Sequence, residues 1–284
     1  MTRDAAALLK TMVELPPLPA VSLRLMELAS DERTNAQQLA NVLSADPALT
    51  ARILRFGNSA AYGYQRRVAS VREAIMVVGF ELVSQVAFAT SMIDNFRRFR
   101  PGDEHFDTDT FWLHSVSVAI GGEAVARKCM FARPSDAFTA GILHDVGRLV
   151  LRQTFPREFD LAAVMSVGTH AAFIESELAT MGYAHDDVGR ALGEHWNFPE
   201  QIAEAIGNHH RSDLRLRTDG LSGIVACCAR LAAFKAEVKV DDEASVPPDL
   251  AETEELCGGW STVEAQASTL VEAISGGTNR GGDR

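Results

Sequence analysis

Apolar residues recur at three- and four-residue intervals along almost the whole chain, and the alternating stretches that would mark strands are hard to find. Val21, Leu25 and Leu28 form the first such stripe, led in by the extended Pro16-Pro17-Leu18-Pro19, and the spacing predicts a helix over 21–29. Thr34 to Gln37 reads as a capping box for a helix carrying Leu39, Val42 and Leu43. Asp46-Pro47 couples an N-cap to proline at the first helical position, ahead of Leu49, Ile53, Leu54 and Phe56, and Gly57-Asn58-Ser59 ends that helix. Beyond a turn at Tyr62-Gly63-Tyr64, Ser70 and Glu73 form a second capping box, with Ala74, Ile75 and Val78 inward until Gly79. Phe80 to Phe96 is a further apolar helix.

The second half repeats the pattern. Helices are expected over Phe111 to Arg127, from a cap at Ser135 or Asp136 into His144, and over Phe159 to Val167, Ala171 to Met181, Asp186 to His195, Pro199 to Asn208 and Leu221 to Ala236. Arg97, Arg98 and Arg100, followed by PGDEHFDTD, form a polar hinge between two helical subdomains. Asp241 to Glu255 reads as an acidic, proline-bearing linker. Ser261 to Glu264 is a third capping box, opening a helix with Val263, Ala267, Leu270, Val271 and Ile274 on one face, and GGTNRGGDR is too polar and glycine-rich to order. The expected organisation is a helical lead-in over 1–14, a helical bundle over 15–100, a second helical subdomain over 101–236, and a linker, helix and tail over 237–284.

Composition narrows the function classes. With 27 Lys plus Arg against 38 Asp plus Glu, the net charge of -11 opposes non-specific binding to a phosphate backbone, so DNA and RNA are poor partners. No apolar run reaches membrane-spanning length, and the four cysteines include no CxxC, so neither a thiolate metal site nor a disulfide framework is indicated and a reducing cytoplasm is expected. Cys227 and Cys228 are expected to pack as small buried apolar residues, and Tyr62, Tyr64 and Trp196 as packing residues of the turn and of the Trp-Xaa-Xaa-Pro helix junction. The arginines at 66–67, at 97–100 and at 211, 215 and 217 read as solvated helix ends, with a nucleotide or phosphate ligand as the alternative if they converge.

The chemistry concentrates in GILHDVGRLVL, where His144 and Asp145 stand side by side between apolar runs. Imidazole beside carboxylate is ligand chemistry for divalent Zn, Fe, Mn or Ni; the alternative is a pair that only hydrogen-bonds at a helix end. His114, His185, His209 and His210 also fall in or at the ends of helices expected in the same half.

FWLHSVSVA, GILHDVGRLVL and GYAHDDVGRALGEHWNFPEQIAEAIGNHH resemble the HD superfamily of helical metal-dependent phosphohydrolases and its HD-GYP branch. The LPxLP entry, the Asp-Pro helix start, NSAAY and the AIMVVG segment resemble the HDOD domain, the HD-related output domain of bacterial signalling proteins, from about Leu15 to about Phe234. The resemblance implies an all-α fold, an HDOD-specific N-terminal bundle followed by an HD-like helical core. It also implies a regulatory or scaffolding role through contact with other signalling proteins, without demonstrated hydrolysis. Carried over residue by residue, it makes His114, His144 and Asp145 ligands of one metal and His185, His209 and His210 ligands of a second, with Asp145 and Arg148 the catalytic candidates of an active enzyme.

Four departures weigh against turnover. Ala229 stands where the HD pattern has an aspartate, Thr110 where the HD-GYP branch has a glutamate, and Arg148 where it has a lysine, while RSDLRLRTDG replaces the GYP loop. Losing a carboxylate removes charge that would retain an ion and orient water, which phosphodiester cleavage by two ions needs most. A protein-contact signalling module, a metal-dependent phosphohydrolase or phosphodiesterase, and a ligand sensor using the relict metal pocket remain the three alternatives.

Overall fold

The computed structural model describes residues 4–12, 15–31, 33–59, 67–98, 106–166, 170–237 and 246–275. The fold is all-α: sixteen helices and no strand occur among these residues. No helix among them is long and apolar enough to cross a membrane. Tyr62, Tyr64, Arg66, Arg100, the start of the acidic linker at Asp241 and the C-terminal GGTNRGGDR lie outside the described residues. The chain divides into two compact bodies, Met1–Pro16 with Phe99–Glu264, and Pro17–Arg98 with Ala265–Arg284.

The smaller body contains α2 (Ala20–Ser30), α3 (Ala36–Ser44), α4 (Pro47–Gly57), α5 (Val71–Val78) and α6 (Phe80–Arg98). Leu25, Leu28, Leu39, Leu43, Ile53, Phe56, Ala74, Ile75 and Met92 form its buried core, which follows the helical spacing of the sequence. Asp46 caps α4 by accepting from the Ala48 and Leu49 N–H groups at 2.9 and 3.0 Å, with Pro47 behind it. Ser70 accepts from Glu73 N–H at 3.1 Å at the start of α5, and Gly79 ends that helix at φ 102°, where a Cβ would be strained. The capping box of α3 falls one residue later than expected. Asn35, a stronger cap than Thr34, accepts from the Gln37 and Gln38 N–H groups, and Gln38 returns the bond to the Asn35 N–H. Asn58 then pairs with both the N–H and the C=O of Val68, at 2.8 and 2.9 Å, and so ties the end of α4 to the approach to α5.

The larger body holds α1 (Ala5–Thr11), α7 (Thr108–Cys129), α8 (Pro134–Leu143), α9 (Val146–Thr154), α10 (Pro156–Met165), α11 (His170–Thr180), α12 (His185–His195), α13 (Glu200–Asn208), α14 (Gly220–Glu237) and α15 (Pro248–Cys257). Trp112, Ile142, Leu143, Val150, Leu151, Leu192, Ile206 and Ile224 fill its centre. Cys227 and Cys228 are buried among them, and all four cysteines are free thiols. Trp196 is buried against Phe198, its Nε1 donating to the Pro16 carbonyl at 3.0 Å.

Other features of the larger body and of the C-terminal helix also differ from the sequence expectation. The cap expected at Ser135 or Asp136 lies at Arg133, because Pro134 takes the first helical position; the Asp136 carboxylate instead accepts from Arg133 Nε and Gln201 Nε2. The stretch expected as linker contains α15, opened by Pro248 and held by Leu250, Thr253 and Cys257 turned inward. The C-terminal helix α16 (Trp260–Ser275) starts before the expected Ser261 cap, since Gly258 and Gly259, at φ 84° and 93°, turn the chain and Trp260 packs inward.

The C-cap of α7 is Met130 in the left-handed region, φ 57°, with its side chain 86% exposed. Glycine holds that conformation without a Cβ penalty. Met130→Gly is expected to stabilise the larger body by about 1 kcal/mol in urea unfolding; a lower midpoint would count against a strained cap.

Candidate metal centre

His144 and Asp145 occupy the joint between α8 and α9. Two glycines set that joint against its neighbours. A Cβ on Gly141 would lie 2.5 Å from Ala119 Cα, so α8 touches the backbone of α7, which carries His114. A Cβ on Gly147 would lie 1.9 Å from the carbonyl oxygen of His185, so α9 touches the first residue of α12. His209 is the C-cap of α13, with His210 following it. The structure therefore brings together His114, His144, Asp145, His185, His209 and His210, side chains drawn from α7, the α8–α9 joint, α12 and the end of α13.

Ring orientation follows from where each Nδ1 goes. His144 Nδ1 lies 2.7 Å from the Gly141 carbonyl and His209 Nδ1 2.6 Å from the Ile206 carbonyl. A carbonyl only accepts, so these Nδ1 atoms carry the protons and both Nε2 lone pairs face inward. The carboxylate of Asp145 divides the cluster: Oδ1 is 3.3 Å from Nε2 of both His185 and His209, whereas Oδ2 is 3.7 Å from His144 Nε2 and 3.9 Å from His114 Nε2. His185 and His210 approach Nε2 to Nε2 at 2.8 Å, and His114 and His144 at 3.1 Å.

Two donor groups result, Asp145 with His185, His209 and His210, and Asp145 with His114 and His144. The residues fit a divalent ion. Four donors about 2.0–2.2 Å from one ion stand about 3.3 Å apart along tetrahedral edges, which matches the separations of Asp145 Oδ1 from His185 Nε2 and from His209 Nε2. His209 Nε2 is, moreover, buried without a hydrogen-bond partner, a cost that a ligated nitrogen does not carry.

The electrostatics are those of a dry pocket. Burial acts first on Asp145 and would raise its pKa, but the Arg148 guanidinium and the protonated His185 outweigh it and hold the carboxyl well below the usual range. Burial drives His144 and His210 down, in His210 with help from the neighbouring His209 and His185. For His185, burial is overcome by the Glu177 carboxylate and by Asp145, which push the ring up to about 10. Arg148 places Nη1 3.2 Å from Asp145 Oδ2 with its guanidinium 4.6 Å over the Phe173 ring, a cation held at the rim of the pocket.

The residues flagged as departures have plain structural settings. Ala229 is buried on α14, and Thr110 donates to the Asp107 carboxylate at the start of α7. Asp145 is the sole carboxylate of both donor groups among the described residues. Arg211 pairs with Asp213 and Arg217 with Glu252, while Arg215 donates to the Ser212 carbonyl, so these arginines hold local structure. Sequence reasoning missed Glu177, fully buried on α11, whose Oε2 lies 2.6 Å from His185 Nδ1. One signal was available: Phe173, Glu177 and Met181 repeat every fourth residue, an acid within an apolar stripe.

The sequence profile of the HDOD domain family matches residues 15–212. Among solved structures, the chain is similar to an HDOD domain protein of unknown function from Geobacter sulfurreducens, with 25% identity, a TM-score of 0.71 and 95% of each chain covered. A protein from Shewanella amazonensis SB2B, provisionally described as a phosphohydrolase, matches with 26% identity and a TM-score of 0.69, over 95% of this chain and 97% of its own. An uncharacterised protein of Treponema pallidum (strain Nichols) is 22% identical over 218 residues, 74% of this chain. The match spans 40% of that relative's length.

Two outcomes follow from the geometry. Gly147→Ala forces α9 off α12 and is expected to cost about 3 kcal/mol in urea unfolding; an unchanged midpoint would refute the contact. In chelator-treated protein, His144 and His210, lowered from about 6.5, withdraw stability as pH falls below that value, each by up to about 1.4 kcal/mol per unit. His185, raised to about 10, contributes stability that is complete below about pH 6.5 and is lost as pH climbs through 10. Thermal unfolding between pH 5 and 9 should therefore peak near 6.5, and a steady rise across that range would contradict the assignment.

Proposed function

From the premise that this chain belongs to the HDOD domain family, we propose that it is a signal-transduction module built around a divalent-metal centre, acting by contact with other proteins rather than by turnover. The observation that carries the metal is the convergence of five histidines on one buried aspartate whose two oxygens face separate donor groups. His185, His209, His210 and Asp145 Oδ1 offer four donors, which suits Zn, Fe, Mn or Ni and leaves a tetrahedral ion no open position. Closed coordination is the mark of structural sites, whereas hydrolytic sites keep a position for water. The single carboxylate is a further argument against a competent pair of ions.

A second function is favoured by a different feature. His114, His144 and Asp145 Oδ2 form a three-donor group that leaves a position open, with Arg148 beside it. A bound divalent ion there would supply Lewis acidity and bring the pKa of coordinated water towards ~7. The chain's own part would be to hold Asp145 ionised against burial through Arg148, and to offer the Arg148 guanidinium to a phosphate oxygen. Such a site is that of a metal-dependent phosphohydrolase, and the described similarity to the Shewanella protein accords with it. Used without a reaction, the same pocket would serve as a phosphate or nucleotide sensor.

Elemental analysis and Zn²⁺, Mn²⁺, Fe²⁺ and Ni²⁺ titrations decide among these. About one ion per chain is expected, retained in His114→Ala and weakened at least about 100-fold in His185→Ala, with no hydrolysis of bis(p-nitrophenyl) phosphate or cyclic dinucleotides. Metal-dependent turnover abolished by His144→Ala would establish the second function instead. Protein that takes up none of the four ions would sink both.

A further inference from the structure

Glu177 is a buried acid outside both donor groups, with no exposed surface, on α11. Its side chain bonds, among the described residues, to His185 alone: Oε2 accepts from the backbone N–H of His185 at 3.0 Å and lies 2.6 Å from Nδ1 of the same ring. Its other oxygen is buried without a partner. A carboxylate removed from water is retained where a charged or strongly hydrogen-bonding partner compensates it, and here a single histidine provides that.

The other two buried rings, His144 and His209, take their orientation from carbonyl oxygens three residues earlier in their own chain segments. His185 has no such carbonyl available. It is the first residue of α12, and three residues before it the chain has only just turned at Gly182, φ 78°. The N-cap residue, Ala184, offers no side-chain acceptor either.

We infer that Glu177 is the positioning residue of the metal centre: it holds His185 with the proton on Nδ1, so that Nε2 is the atom presented beside Asp145 Oδ1 and His210 Nε2. The inference rests on the metal-binding function proposed above. A carboxylate behind a ligating imidazole fixes its tautomer and makes the opposite nitrogen a better donor, and losing such a partner weakens metal affinity about 10- to 100-fold. The same oxygen also satisfies the first N–H of α12, so a purely structural capping role must be told apart from an effect on the ligand.

Glu177→Gln makes that separation. Both donors fall on one oxygen, so a glutamine carbonyl can keep both bonds while the charge is lost. In the full chain, Zn²⁺ affinity measured by chelator competition should fall about 10- to 100-fold, and the absorption spectrum of the Co²⁺-loaded protein should shift, while the metal-free protein unfolds within a few degrees of the unsubstituted one. Unchanged Zn²⁺ affinity with an unchanged Co²⁺ spectrum would overturn the inference and leave the metal centre standing. Should the variant not fold, ¹⁵N spectroscopy of the unsubstituted Zn²⁺-loaded protein decides: a proton on His185 Nδ1 is expected, and coordination through Nδ1 overturns the inference. Failure of the unsubstituted protein to bind Zn²⁺, Mn²⁺, Fe²⁺ or Ni²⁺ would remove the metal centre itself.

Discussion

The centre depends on how closely two helices can pass. α9 starts one residue after Asp145 and α12 starts at His185, and the absent side chain of Gly147 lets the first helix meet the carbonyl of the second. That contact keeps Asp145 Oδ1 within 3.3 Å of His185 Nε2. Gly141 plays the same part on the other side, seating α8 against α7 so that His144 and His114 come within 3.1 Å. Any side chain at either glycine would have to push backbone, which a packed interior resists. Small residues three before and three after His144 thus do as much for the arrangement as the ligand candidates themselves.

Charge is arranged with similar economy. One carboxylate faces both donor groups, and its ionised form is favoured by the protonated His185 and by Arg148 against the penalty of burial. Arg148 in turn leans on Phe173, whose ring also lies 6.1 Å from that of His185. Deeper in α9, the buried Arg152 packs its guanidinium over Phe106 and Phe159 and reaches Asp160. The cations of this helix are therefore held by aromatic faces as well as by acids, which fixes their position without crowding the pocket with more negative charge.

Much of this was legible in the sequence because helical spacing is a local signal. The Asp46-Pro47 start, the Ser70 cap and the stop at Gly79 depend only on neighbours in the chain, and the structure has them where they were expected. Caps slipped where two candidates competed at adjacent positions: Asn35 prevailed over Thr34, and Pro134 moved the start of α8 ahead of Ser135. α15 was masked by its acidic, proline-bearing composition, although Leu250, Thr253 and Cys257 carry a buried face. The six candidate site residues could be named because their motifs resemble those of the HD superfamily and its HD-GYP branch. The apolar stripe around Glu177 marks it as an acid to be buried, but its pairing with His185 is made by the turn between α11 and α12, which no local spacing reports.

His144 and His209 are each steered by a carbonyl three residues back, at the point where a helix gives up its own hydrogen bonding. Those oxygens would otherwise look for water, so aiming the rings asks for no auxiliary side chain. A protein engineer could therefore transplant the device as a four-residue helix ending, Gly-Ile-Leu-His or Ile-Gly-Asn-His, onto an unrelated helical scaffold and obtain an inward-aimed imidazole whose tautomer comes with the graft.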